Sequence, residues 1–166
     1  DSMLSTAAFA SFFDHTLLKP DASPRQIEAL CQEALTLGAA SVCVNPCYVP
    51  LAAQLLSGSA VRVCTVVGFP LGATTSAQKA YEAASAQAAG AQEVDMVLNV
   101  GYLKAGDLAA VQADIAQVRS AVQDATLKVI LETCLLTQEG IVTACRLAQA
   151  AGADFVKTST GFSTAG

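Results

Sequence analysis

Two rhythms of apolar positions alternate along the chain. Stretches with an apolar side chain every third or fourth residue predict helices with one buried face, and short β-branched runs between them predict strands. The helical rhythm is clearest over residues 24–37, where Ile27, Leu30, Cys31, Ala34 and Leu35 form a stripe. Ser23 is placed to cap this helix, Pro24 suits its first position, and Gln26 completes a Ser-x-x-Gln capping box. Further helices are predicted at about 50–56, 76–89, 107–122 and 137–150, with Asp107 and Thr137 as N-caps. Strands are predicted at 42–45, 61–67, 94–99, 127–133 and 155–160, with a short one near 16–18.

Helices hand over to strands through a repeated device. Gly38-Ala39-Ala40-Ser41-Val42, Gly90-Ala91-Gln92-Glu93-Val94 and Gly152-Ala153-Asp154-Phe155-Val156 each end a helical stretch at glycine, and a strand follows within a few residues. Glycine suits the left-handed position just past a helix end. A helix between successive strands implies parallel pairing, with covered faces and continuously apolar strands. Two architectures fit this pattern: an open doubly wound parallel sheet and a (β/α)8 TIM barrel. The strands recur about every 28 residues, so eight units at this spacing need roughly 220 residues. The chain has 166, which matches a barrel with only about its first six βα units.

Composition narrows the class. Hydrophobic residues make up 53% of the chain and charged residues 14%, so disorder is excluded. Alanine supplies 33 of the 166 residues, which favours helices lying close to their neighbours. Every apolar run is broken well short of the ~20 residues needed to span a bilayer, so no membrane partner is expected. Net charge is -5 with no basic run, which argues against nucleic acid. The one close cysteine pair, Cys43-x3-Cys47, lacks CxxC spacing, and the only histidine, His15, is distant, so no metal site is expected. The N-terminal residues lack the basic and apolar blocks of a secretory leader; a cytoplasmic location with reduced cysteines is the expectation.

Against this apolar background the charged strand residues stand out. Alternation puts Asp95, Val97 and Asn99 on one face of their strand, Lys128 with Ile130 and Glu132 on the next, and Lys157 with Phe155 and Ser159 on the last. If these sets share an interior, Asp95, Lys128 and Lys157 meet there, and a buried charge must be paired, neutralised or at a solvated site. Burial and a second cation both disfavour an ammonium, which would leave a lysine as a free amine able to attack a carbonyl. The product is a Schiff base, an electron sink that makes C–C bond chemistry accessible, and a carboxylate such as Asp95 would relay protons. Structural alternatives stand beside each role: Lys128 near a strand start can snorkel, Asp95 can accept structural hydrogen bonds, and Cys43 can be a small buried hydrophobe.

At these residues the sequence resembles deoxyribose-phosphate aldolase, a class I aldolase family with a (β/α)8 TIM barrel. The resemblance rests on Asp14-His15-Thr16-Leu17-Leu18-Lys19, Val42-Cys43-Val44-Asn45-Pro46, Val66 to Gly72, Glu93-Val94-Asp95-Met96-Val97, Leu127 to Thr133, and Ala153 to Phe162. It implies that Lys157 is the Schiff-base lysine and Asp95 the proton donor and acceptor. It also implies that Lys128 is a neighbouring active-site lysine, Cys43 lines the substrate pocket, and Gly161 belongs to the phosphate-facing loop. The implied reaction is the reversible cleavage of 2-deoxy-D-ribose 5-phosphate to D-glyceraldehyde 3-phosphate and acetaldehyde, with no cofactor. Some relatives carry lysine where Phe162 stands. The family also has a second catalytic lysine and a further phosphate loop in later units, which residues 1–166 do not contain. The expectation is therefore a single aldolase-type domain, C-terminally incomplete, whose edges call for a homo-oligomer or a complementing C-terminal segment. The other readings are an inactive or assembly-dependent fragment and, with the doubly wound sheet, a small-anion-binding domain.

Overall fold

The computed structural model describes residues 13–163. The chain alternates strand and helix in the order β1 (Asp14–Leu17), α1 (Pro24–Leu37), β2 (Ser41–Val44), α2 (Val49–Leu55), β3 (Arg62–Val67), α3 (Ser76–Ala89), β4 (Glu93–Val97), α4 (Val100–Lys104), α5 (Leu108–Ala121), β5 (Thr126–Ile130), α6 (Gln138–Ala150) and β6 (Phe155–Lys157). Single 3-10 turns occupy Pro46–Tyr48 and Thr133–Leu135.

Local chemistry accounts for the boundaries. The Ser23 and Gln26 capping box forms in both directions, Pro24 starts α1, and Gly38 ends it at φ 69°. Gly90 and Gly152, in the two other copies of the handover motif, also have positive φ. Strands β4, β5 and β6 stop two or three residues before their predicted ends. Asn99 leaves the strand to cap α4, accepting from the Tyr102 amide at 3.1 Å, and α4 is a helix the periodicity did not predict. Glu132 turns left-handed at φ 55° and ends the extended run of β5. Leu35, assigned to the apolar stripe of α1, is exposed.

All six strands are parallel and neighbours in space follow neighbours in sequence, β1-β2-β3-β4-β5-β6. A doubly wound sheet reverses its strand order at a switch point; here nothing reverses, so that alternative is overturned, and with it the anion crevice it required. The helices pack on one face. Val94, Met96, Leu127 and Val129 point outward into a cluster with Ile115, Val118 and Ala144. Val42, Val44 and Val63 do the same beneath Ile27, Leu30 and Ala52. On the other face a small group of Cys43, Cys64 and Val66 is the apolar floor.

That second face is concave. In a flat sheet, five steps of about 4.8 Å would hold β1 and β6 about 24 Å apart. Instead Asp14 on β1 and Lys157 on β6 form an ion pair, Oδ2 to Nζ 3.2 Å. The sheet curls as a partial barrel with its charged side chains on the inside.

One buried ion pair outside the barrel organises the rim. Lys79 on α3 is completely buried and donates to Asp114 of α5 at 2.7 Å and to the Val97 carbonyl at the end of β4 at 3.0 Å. Ser76 donates to the second Asp114 oxygen at 2.6 Å. The Lys79 stem packs on Gly68, whose amide donates to Glu82 at 2.8 Å. Gly72 closes the loop after β3 so near to Leu98 that a Cβ there would lie 2.2 Å from the Leu98 carbonyl oxygen. No helix among the described residues is long and apolar enough to cross a membrane.

Candidate active site

The concave face brings together charges from five strands. Lys157, at the end of β6, donates to Asp95 Oδ2 at 2.7 Å and to Asp14 Oδ2 at 3.2 Å. Lys128, which faces Asp95 across the β4–β5 register, lies 3.4 Å from Asp95 Oδ1 and donates to Glu93 Oε1 at 2.7 Å. Asp14 Oδ2 is also 3.4 Å from Lys128, so one carboxylate oxygen spans both ammonium groups. Ser41 donates to the other Asp14 oxygen, and Arg62 on β3 holds Glu93 at 3.1 Å. The predicted trio Asp95, Lys128 and Lys157 thus meets in one cluster, and Lys128 lies buried within it instead of snorkelling.

The electrostatics differ from the expectation for the lysines. Burial opposes the Lys157 ammonium, and so does Lys128, but the Asp95 carboxylate in direct contact outweighs both and holds its pKa above the ordinary lysine value. Burial likewise opposes the Lys128 ammonium, which the carboxylates of Asp95, Glu93 and Asp14 more than offset, again raising the pKa. The expected free amine is therefore not the resting state of this arrangement. Sequence reasoning foresaw the second cation but not the density of carboxylates, because Asp14 and Glu93 fall just outside the strands predicted at 16–18 and 94–99. Burial also acts against the Asp14 carboxylate, yet Ser41 and the two lysines hold its pKa below the usual carboxylate value.

The remaining predicted residues fall at different depths. Cys43 is buried next to Cys64, its register partner on β3. Hydrogen bonding with Cys43, and then burial, push the Cys64 thiol well above its usual pKa, so it is a protonated thiol. Gly161 lies in the exposed loop after β6, with φ 84° and open space on the side where a Cβ would stand. His15 is outside the cluster, with Nε2 3.1 Å from Glu33 on α1. Cys47 is an exposed free thiol.

Two features missed by pattern reading shape the mouth. Glu132 is buried and accepts from the Thr160 amide at 3.0 Å and from the Thr160 hydroxyl, while Thr160 Oγ1 accepts from the Phe162 amide at 3.0 Å. This relay anchors the segment running on from Lys157. Phe162 then meets Phe69 from the loop after β3 edge to face, ring centroids 5.3 Å apart. The only sequence signal for the relay is a glutamate in register with the inward face of a buried strand.

Comparison with known proteins agrees with this architecture. The description "DeoC/LacD family aldolase" belongs to a family profile that matches residues 9–165. A deoxyribose-phosphate aldolase of Brevibacillus brevis is 63% identical over 155 residues, covering 93% of this chain and 70% of that protein. One from Clostridium kluyveri is 58% identical over 158 residues, covering 95% and 72%. A solved structure from Coccidioides immitis superposes with a TM-score of 0.94 at 45% identity, over 98% of this chain and 64% of that one. The tetrameric deoxyribose phosphate aldolase of Aeropyrum pernix superposes with a TM-score of 0.88 at 34% identity, over 96% and 68%. The chain spans 64–72% of the length of these relatives, and with a profile match over nearly its whole length it belongs to the DeoC/LacD family of aldolases.

Proposed function

We propose that the concave cluster carries the Schiff-base chemistry of a deoxyribose-phosphate aldolase, acting on small phosphorylated sugar and aldehyde substrates. The observation that supports it is the 2.7 Å contact of Lys157 with a fully buried Asp95 on the inside of a curled parallel sheet. Lys157 first passes its proton to a base, for which Asp95 is within reach. The free amine attacks the C1 aldehyde of open-chain 2-deoxyribose 5-phosphate, and loss of water from the carbinolamine leaves the imine. As the proton leaves the C3 hydroxyl, the C2–C3 bond breaks. Its electron pair moves into the enamine, and glyceraldehyde 3-phosphate departs. Protonation of the enamine and hydrolysis of the imine release acetaldehyde. In this reading Lys128 supplies positive charge beside Asp95, Cys43 lines the pocket floor, and Gly161 leaves its loop open to the phosphate. No step calls for a cofactor.

β1 and β6 lie at the edges of the sheet, and Phe155 and Val156 on β6 are 62% and 43% exposed. We infer that residues 1–166 act as one barrel-type domain, cytoplasmic in location, closed by a complementing segment or by a second copy, and that turnover on deoxyribose 5-phosphate is low without that closure.

Trapping with acetaldehyde and borohydride, followed by peptide mass mapping, tests the chemistry without requiring turnover. A stable ethyl adduct on Lys157, absent from Lys157→Ala, is the expected result. No adduct on a folded sample would remove Lys157 as the nucleophile.

A further inference from the structure

Cys43 and Cys64 face each other in the register of β2 and β3, and Asp95 stands on β4 beside them. The two Sγ atoms and one carboxylate oxygen of Asp95 all lie within 4.8 Å of one another. Ordinary core packing explains why two thiols are buried there. It does not explain Asp95 Oδ1, which is buried and accepts no hydrogen bond, its near cation Lys128 standing off at 3.4 Å. A buried carboxylate oxygen that accepts no hydrogen bond is costly, and a carboxylate oxygen of Asp95 shares one small space with the two sulfurs.

Two sulfurs and a carboxylate are a donor set for soft or borderline cations; calcium and magnesium take oxygen ligands. We propose that Cys43, Cys64 and Asp95 bind a single thiophilic divalent cation of the Zn2+ or Cd2+ type, with three protein ligands and one position left for solvent. Zn–S bonds of about 2.3 Å in a tetrahedral site put two sulfurs about 3.8 Å apart. From a spacing within 4.8 Å, the two sulfurs need to approach by no more than about 1 Å to close the site. The charge balance allows it: Asp14, Glu93 and Asp95 are matched by Lys128, Lys157 and Arg62, and a divalent ion with two thiolates adds no net charge. Both thiol protons leave on binding. The ion shares the carboxylate that contacts Lys157, so it is an inhibitory ligand and not a cofactor; this last consequence rests on the aldolase reading, while the site itself does not.

The test titrates the reduced chain with Cd2+ alone and reads the ultraviolet thiolate-to-cadmium charge-transfer band. One equivalent should bind, with the same band in the Cys47→Ser/Cys134→Ser variant, which removes the exposed thiols. Cys64→Ser should abolish the band, and Asp95→Asn should weaken binding at least about tenfold. Circular dichroism confirms folding, and Cys43→Ala serves if Cys64→Ser does not fold. A band that survives loss of Cys64 or Cys43, one that vanishes with Cys47 and Cys134, or none in a folded parent overturns the site. Saturating Cd2+ should also suppress borohydride trapping at Lys157, with trapping restored in a folded Cys64→Ser. Full trapping with the band present overturns the inhibitory role alone.

Discussion

Lys157 illustrates how a single contact reverses an inference. Mid-strand lysine in a parallel sheet is legible as an anomaly, and alternation aligns it with Asp95 and Lys128, but its protonation depends on which charge comes nearest. Asp95 lies at 2.7 Å, so it wins over burial and over Lys128. Imine trapping should rise with pH as the Lys157 proton is lost. Asp95→Asn should move that rise to lower pH, because the group holding the ammonium is gone, and should cut the maximal trapping rate by roughly 10²–10⁴-fold if Asp95 relays protons. Lys128→Met should move the rise to higher pH, since it removes a cation that opposes the Lys157 ammonium. Trapping rates across pH for the three proteins check both directions, and identical profiles would mean that neither group tunes Lys157.

Among the elements, α3 departs furthest from its sequence reading. Its Ala-rich pattern suggests a helix with a polar face, yet Lys79 lies in the buried stripe with Ala83 and Ala86. The partner that makes this tolerable, Asp114, is 35 residues away on α5, and local periodicity carries no information about such a pair. Breaking a buried pair by removing one member leaves an uncompensated charge, so Asp114→Ala should cost about 3–5 kcal/mol. The double variant Lys79→Met/Asp114→Leu should recover most of that loss. Ile115→Ala, at the next residue and fully buried, should cost about 2–5 kcal/mol by cavity formation alone. Urea midpoints at unchanged slope measure all three. The helix starts were more legible: the Ser23 box, Asp107 and Thr137 act over three residues, and each forms its cap.

At the scale of the whole molecule, edges and net titration matter. The apolar exposure of β6 should drive self-association that sedimentation detects as a rise in mass with concentration, and Val156→Lys should suppress it. A compact monomer at every concentration would count against an exposed, unpaired edge. Acid stability follows from the carboxylates. Asp14 and Asp154 are held below their usual pKa, Asp154 chiefly by the Leu127 amide and also by Arg119. A depressed folded pKa contributes stability that is complete above the unfolded value of 3.8 and is lost as pH falls through the folded value. Asp154→Asn should therefore flatten the decline below about pH 4 in acid unfolding curves. The lysines have the opposite sign: their raised values contribute stability below 10.5 that is lost only as pH climbs through the higher folded values. What the sequence determined by itself was local or periodic: helix faces, caps, glycine handovers, parallel strands, and the inward alignment of Asp95, Lys128 and Lys157. Only the tertiary structure decided that the sheet curls until Asp14 reaches Lys157, that Cys43 meets Cys64, and that carboxylates outnumber the lysines' immediate cationic neighbours. Those outcomes depend on strand order and curvature, which bring distant residues within a few ångströms, and at that range Coulomb interactions settle protonation.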